Sequence, residues 1–420
     1  MRPLETGQRS ETVRRANLSV IVRALHDRGP LSRSELVART GLTRSAIRSH
    51  VGELEAAGIV REEQPAPLGL PGRPSPVVSL DGEVASVLAL EIAVDSLAAA
   101  HMGPAGEIVR MRRVERPRGH ASVDRVVTDL AALARAVHPG PLDAGSLIGI
   151  GLAVAGVVRR DDGLVRTAPN LGWTDVALVS RMAEALGTRV PVHVANEADL
   201  GALAESRRGA GLGADDVIYI SGEVGIGGGI FVDGHPLGGA AGYGGEIGHI
   251  PVNPAGAACR CGAMGCWETE IGEEVLLGLA GQAPRGGRAA VDAVLSAAAA
   301  DEPAALAAID HIGRWLGIGL AGLVNVFDPR LIVLGGRFVR LAPYVVATVE
   351  AELDRRALAA SRELVRVVPA MLGEDAPLIG AAELAMEPLL TDPSAWLGAR
   401  AEVGAERDSG PTNGQWRVVA

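Results

Sequence analysis

The sequence predicts an α/β protein in two parts, a small winged helix-turn-helix unit over residues 1–80 and a larger layered α/β region over 81–387. Three observations lead there. Residues 13–58 hold three amphipathic segments separated by Gly-containing turns; apolar runs of strand length alternate with Ala-rich helical stretches from Val87 onward; and all three cysteines fall within eight positions, Cys259 to Cys266. Alternating strands and helices imply sheets covered by helices. At 420 residues and 48% hydrophobic content, the chain has material for two or three cores, which excludes overall disorder.

The net charge of −10 is unevenly spread, since residues 1–80 carry twelve Arg against eight acidic residues. The basic share therefore sits at the N-terminus. There, Val13, Ala16, Leu18, Ile21, Val22 and Leu25 recur at helical spacing up to Gly29-Pro30 and predict a first helix. Ser32 with Glu35 is a capping box opening a short helix that ends at Thr40-Gly41. Thr43 caps a third helix, with Ile47, Val51 and Leu54 inward and Gly58 at its end. This is the helix-turn-helix arrangement, in which Thr43, Arg44, Ser45, Arg48 and Ser49, near the start of the last helix, face the major groove of operator DNA. Guanidinium and hydroxyl groups suit phosphates and base edges. Ile59-Val60 and Val77 to Leu80 read as strands of a wing, and Gly72-Arg73-Pro74 as a stiff turn that offers Arg73 to a minor groove.

In the larger region, Val87 to Ile92, Leu147 to Val154 and Val190 to Val194 read as strands, the last leading into an Ala-rich helix after Asn196. Val217 to Ile220 and Gly229 to Val232 flank the Gly-rich turn Gly222 to Gly228. A helix from Ile312 to Phe327 and the turn Asp328-Pro329 precede the strand Leu331 to Leu334, which ends in Gly335-Gly336. Residues 284–310 read as Ala-rich helix and 388–420 as a loosely held, flexible tail. No internal repeat is evident.

Three clustered thiols need a shared reason. Cys259, Cys261 and Cys266, with His249 ten residues upstream, make the Cys₃His set that Zn²⁺ takes in closed tetrahedral sites. A disulfide would leave one thiol over, and buried cysteines acting as small hydrophobes would not call for the two glycines of C-x-C-G-x-x-G-C. Neither a leader segment nor an apolar run able to span a bilayer is read in the chain. A cytoplasmic, reducing location with no membrane partner is therefore expected.

Several motifs occur together in one order: Ala168 to Trp173, Val194 to Ala198, Glu246-x-Gly248-His249, Cys259 to Glu268, and Asp328 to Gly336. Through them, the chain from Val87 to about Leu384 resembles the ROK family of sugar kinases and transcriptional repressors. That resemblance implies a two-lobed, ribonuclease-H-like fold of the actin/hexokinase type. With the helix-turn-helix in front, the chain is similar to ROK repressors of the NagC/Mlc/XylR type. The resemblance further implies a sugar pocket formed by Asn170, Asn196, Glu197, Glu246, His249 and Glu268. Carboxylates and amides can pair with hydroxyls that both donate and accept, and His249 would serve metal and sugar together.

The same resemblance bears on catalysis. ROK kinases carry D-x-G-G-T in their first phosphate loop, where this chain has Glu91-Ile92-Ala93-Val94-Asp95; for G-T-G-I-G in the second it has Glu223-Val224-Gly225-Ile226-Gly227. Side chains and negative charge replace glycines that let the backbone approach phosphate. Glu197 stands where the kinases place a catalytic Asp, with one methylene more. The expectation is a non-catalytic repressor of carbohydrate metabolism, a homodimer or homotetramer that answers to a sugar or sugar derivative. A ROK sugar kinase with an attached DNA-binding domain is the alternative.

Overall fold

The computed structural model describes residues 10–64, 75–82, 85–120, 122–138, 140–142, 147–284 and 286–396. In the head, helices α1 (Ser10–Arg28), α2 (Arg33–Thr40) and α3 (Arg44–Ala56) close around Leu18, Ile21, Val22, Leu36, Ile47, Val51 and Leu54, all fully buried. Ser32 and Glu35 form the reciprocal capping box, and Gly41 ends α2 in the left-handed region at φ 71°. Val13 and Ala16 depart from expectation and face solvent. The first turns of α1 run past the core, and Arg14 there pairs with Glu53 at its rim.

The wing is a three-stranded sheet in the order β1-β3-β2, made by β1 (Leu31–Ser32), β2 (Val60–Glu63) and β3 (Val77–Leu80). The two-residue β1 is too short to show a sequence period. The turn Gly72-Arg73-Pro74, and with it the expected Arg73 contact, lies outside the described residues.

The first lobe carries β4 (Val87–Ile92), β5 (Ser96–Met102), β6 (Ile108–Glu115), α4 (Val123–Val137) and β7 (Gly149–Val154). A small flap follows, β8 (Val157–Val158), β9 (Val165–Ala168) and β10 (Trp173–Val176), and then α5 (Leu178–Leu186) and β11 (Val192–Asn196). Helix α6 (Glu197–Arg208) crosses to the second lobe, which holds β12 (Val217–Gly222), β13 (Ile226–Val232) and β14 (His235–Pro236). Next come α7 (Glu268–Ile271), α8 (Glu273–Leu279), α9 (Gly287–Ala299), α10 (Pro303–Phe327) and β15 (Leu331–Gly336). The chain closes with α11 (Phe338–Arg356), α12 (Ala359–Arg362), β16 (Arg366–Pro369) and α13 (Ala376–Thr391). Residues 284–310 thus divide between α9 and the start of α10.

The two central sheets have the orders β11-β7-β4-β5-β6 and β14-β13-β12-β15-β16. Each is a three-stranded antiparallel meander continued by two parallel strands on the side of its first strand. The lobes therefore repeat one topology, although no repeat is legible in the residues. This is the expected two-lobed, ribonuclease-H-like plan. It makes the β4–β5 turn, which holds Asp95, the counterpart of the β12–β13 turn, which holds Glu223.

Helix α13 lies on the first sheet because β7 offers glycines. A Cβ on Gly151 would fall 1.8 Å from the Ala381 carbonyl oxygen, and one on Gly149 2.6 Å from that of Ala385. Its far end carries Leu389 and Leu390, both buried, into one core with Leu18, Ile21, Val22 and Leu25 of the head. Residues 388–391 accordingly belong to the last helix instead of the expected tail, whose remainder from 397 lies outside the described residues. Among the described residues, no helix is long and apolar enough to cross a membrane.

Candidate functional site

The sequence placed the DNA contacts at the start of α3, and Thr43, Arg44, Ser45, Arg48 and Ser49 are all exposed there. Arg44, Ser45, Arg48 and Ser49 line one shallow depression on the helix surface. Thr43 has a second task. Its hydroxyl accepts the Ala46 amide at 3.2 Å as the N-cap and meets the Ser45 hydroxyl at 3.0 Å.

The cysteine knuckle forms where the chain folds back through bridges Pro251 to Cys266 and Ala258 to Met264. Gly265 is required there at φ 65°, since a Cβ would fall 1.7 Å from the Asn253 carbonyl oxygen. The fully buried Trp267 pins the knuckle to α10 by donating its indole N–H to the Trp315 carbonyl at 2.8 Å. His249, Cys259, Cys261 and Cys266 bring one ligand atom each within 4.8 Å of one another. The Cys261 and Cys266 sulfurs are 3.6 Å apart, and Cys259 Sγ lies 3.7 Å from His249 Nδ1. A tetrahedral ion with Zn–S near 2.3 Å and Zn–N near 2.0 Å spaces its ligands about 3.5–3.8 Å apart, so the donor set and these two separations fit Zn²⁺. Burial pushes the Cys266 thiol up to about 12, and a cation is what would let it ionise.

The remaining expected pocket residues gather beside this knuckle, between the lobes. Glu268 begins α7 and accepts the Ile226 amide at 3.0 Å; a Cβ on Gly225 would fall 2.3 Å from its carboxylate and 3.9 Å from Asn170 Nδ2. Glu246 is raised by burial and by Glu268 while His249 opposes. Glu197 is pushed up to about 8 by burial and by the neighbouring Glu223, Glu91, Asp95 and Glu246 carboxylates. Asn196 departs from a purely ligand-binding role. Its Oδ1 caps α6 by accepting the Ala198 and Asp199 amides at 2.7 and 3.3 Å, and its Nδ2 donates to the Gly156 carbonyl at 2.9 Å. One N–H of the amide stays available to a ligand.

The profile of the ROK family matches residues 87–387, and that of a helix-turn-helix domain matches residues 19–63. The chain belongs to the ROK family. A "Xylose repressor" of Bacillus subtilis is 28% identical over 381 residues, 90% of this chain and 97% of its own. The ROK glucokinase of Streptomyces griseus, solved in complex with glucose and AMPPNP, is 30% identical, covering 72% of this chain and 99% of that one at a TM-score of 0.63. A ROK family transcriptional regulator, a homolog of the E. coli MLC protein, shares the fold over 92% of this chain and 98% of its own at a TM-score of 0.74, with 24% identity.

Between the β4–β5 and β12–β13 turns, where the phosphate loops are expected from the sequence, this ROK chain sets ion pairs. Arg118 bridges the lobes, donating to Asp95 Oδ2 at 2.8 Å and to Glu273 Oε1 at 2.5 Å. Arg288 pairs with Glu374 through a second N–H at 2.6 Å. The buried Arg337 donates to the backbone carbonyls of Glu223 and, at 2.7 Å, Ile271; burial lowers it to about 10 despite the nearby carboxylates. Arg118, Arg288 and Arg337 line a cavity of about 260 Å³ in which the first two already have carboxylate partners.

Three residues at the site escaped sequence reading. Asp199, on the first turn of α6, is pushed up to about 7 by burial and by Glu246, against Arg160. Its spacing of three from Asn196 was the available signal. On that helix face Asp199 and Leu200 line a cavity of about 450 Å³ with Val192, Val194, Phe231 and Leu237. Arg260, between two thiols in the motif itself, and Arg118 were signalled by nothing but their charge.

Proposed function

We propose that the protein is a DNA-binding transcriptional repressor whose ROK domain holds a sugar and, when occupied, loosens the hold of the head on operator DNA. In this reading Arg44, Ser45, Arg48 and Ser49 meet DNA, helped by Arg73, while Asn170, Glu197, Glu246, His249 and Glu268 meet the sugar. Asn196 adds one donor and Zn²⁺ sits in the Cys₃His knuckle. Two heads of a homodimer would span successive major grooves of a palindromic site. The observation that carries the reading is the coexistence of an exposed, Arg-bearing helix start with Asp95 and Glu223 in the two phosphate-loop turns. Side chains at those positions fill the space in which the backbone of a Gly-rich loop would approach a triphosphate.

The test is an operator titration. Full-length protein should bind a duplex from the region upstream of its own gene with steep salt dependence, and D-xylose or D-glucose should weaken that binding. D-xylose is the first probe because repressors of that name are relatives. Salt-independent binding, or operator affinity that no sugar or sugar phosphate alters, would remove the reading. A second reading, kinase activity, draws on Glu197 standing where ROK kinases place a catalytic Asp. With its carboxyl at about 8, it is mostly protonated at neutral pH and could act as a base only toward alkaline pH. ADP release from sugar and Mg·ATP would favour it.

A further inference from the structure

Helix α6 starts at the candidate sugar pocket with Glu197 and ends with Arg207 and Arg208. Twelve residues at 1.5 Å each span about 18 Å. At the far end Arg207 donates to Glu383 at 3.1 Å and to Glu387 at 2.6 Å, both on α13. Arg208 donates to Glu383 through Nε, and its Nη2 lies 2.8 Å from Nε2 of His26. His26 belongs to α1 of the DNA-binding head, is 2% exposed, and also lies 2.9 Å from Glu383. One turn earlier on α1, Arg23 donates to Glu387 at 2.6 Å. Three elements, from the pocket, the body and the head, thus meet in one charge cluster with the buried His26 and Glu383 at its centre.

Two features make the cluster a joint and not a passive seam. First, α6 and α13 pack backbone to backbone. A Cβ on Gly380 of α13 would fall 1.9 Å from the Leu200 carbonyl oxygen, so the two backbones touch. Second, His26 has two mutually exclusive pairings. A neutral ring with its proton on Nδ1 donates to the Pro104 carbonyl and accepts from Arg208 at Nε2; with that proton on Nε2 it donates to Glu383 and gives up the Pro104 contact. Discrete alternative pairings of this kind let packed elements convert small displacements into a change of state.

We propose that α6 transmits sugar occupancy to the DNA-binding head, with Arg207 and Arg208 as positioning residues that act through Glu383 and Glu387 on His26 and Arg23. The inference rests on the sensor reading above. A sugar that draws on Glu197 displaces the first turn of α6, the helix carries the displacement to its last two arginines, and α1 is re-seated on α13.

The test compares full-length wild type with His26→Gln and Glu383→Gln. Operator affinity is measured by fluorescence anisotropy with and without D-xylose or D-glucose, and sugar affinity by calorimetry. Wild type should show an operator affinity reduced on the order of tenfold by the active sugar. Both variants should keep sugar affinity and sugar-free operator affinity within about threefold of wild type, while the sugar effect falls below about twofold. A merely structural role would lower stability and leave that ratio intact, so variants that keep the full ratio overturn the proposal. A wild type that binds neither sugar nor responds to one sinks the sensor reading, and the coupling with it. Should Glu383→Gln not fold, His26→Gln, which leaves Glu383 paired with both arginines, carries the same comparison.

Discussion

Arg260, seated between two thiols of the knuckle, donates from Nη1 to Asn170 Oδ1 at 2.9 Å. The first residue belongs to the cysteine loop of the second lobe and the second to the flap of the first. An ion in the knuckle would hold the loop on both sides of Arg260 and so tie the order of the pocket to that of the metal site.

Stripping the metal, or making Cys261→Ser, should free Arg260 and lower sugar affinity by about tenfold or more. Arg260→Ala should lower it while zinc content stays at one per chain. Calorimetry beside metal analysis checks both; a zinc-free variant with wild-type sugar affinity would separate the two sites.

Asn196 offers a stability prediction. Its side chain caps α6 and holds the Gly156 carbonyl, so Asn196→Ala should cost about 1–2 kcal/mol, a few degrees of thermal midpoint. Asn196→Asp keeps the capping oxygen but turns an acceptor toward the Gly156 carbonyl, so it should recover only part of the loss. An alanine variant that melts with wild type would show that the cap contributes nothing.

The contrast between legible and illegible parts follows from sequence distance. Val87 to Ile92 and Leu331 to Gly336 stand out because central strands buried on both faces are continuous apolar runs. Strand β5, SLAAAHM, has the composition of a helix, and the edge strand β6, IVRMRRVE, is largely exposed and basic; each is a strand through its neighbours. The knuckle was legible because its ligands lie within eighteen positions, His249 to Cys266. The Arg260–Asn170 contact joins residues ninety positions apart, and His26 meets Glu383 across 357, so no local pattern announces either.

The acidic pocket predicts a pH dependence. Glu197 titrates near 4 in an unfolded chain and at about 8 in the fold. Between those values the native state holds a proton that the unfolded state has lost. Its stabilising contribution is complete below pH 4, declines as pH rises and is gone above about 8. Asp199, at about 7, works in the same direction. The thermal midpoint should fall from pH 5 to pH 8, and Glu197→Gln should flatten that fall. An unchanged slope in the variant would show that Glu197 is already ionised in the native state at pH 5.

The arginines at the start of α3 make separable predictions, since contact with a phosphate and contact with a base leave different signatures. A phosphate contact displaces condensed counterions. Removing it weakens binding to every sequence alike and lowers the slope of log affinity against log salt by about 1. A bidentate contact to guanine costs about 1–3 kcal/mol only against the preferred base, and relaxes specificity there with little change in slope. Arg44 is the first residue of α3, the end by which a recognition helix enters the groove beside the phosphate backbone, and Arg48 sits one turn further along. Arg44→Ala should therefore reduce affinity for operator and random DNA together, with a shallower salt dependence. Arg48→Ala should reduce operator affinity by about ten- to a hundredfold, with random-sequence affinity nearly kept. Titrations of both duplexes over a range of salt concentrations decide between these outcomes, and equal losses on both duplexes for both variants would assign the two arginines to phosphate alone.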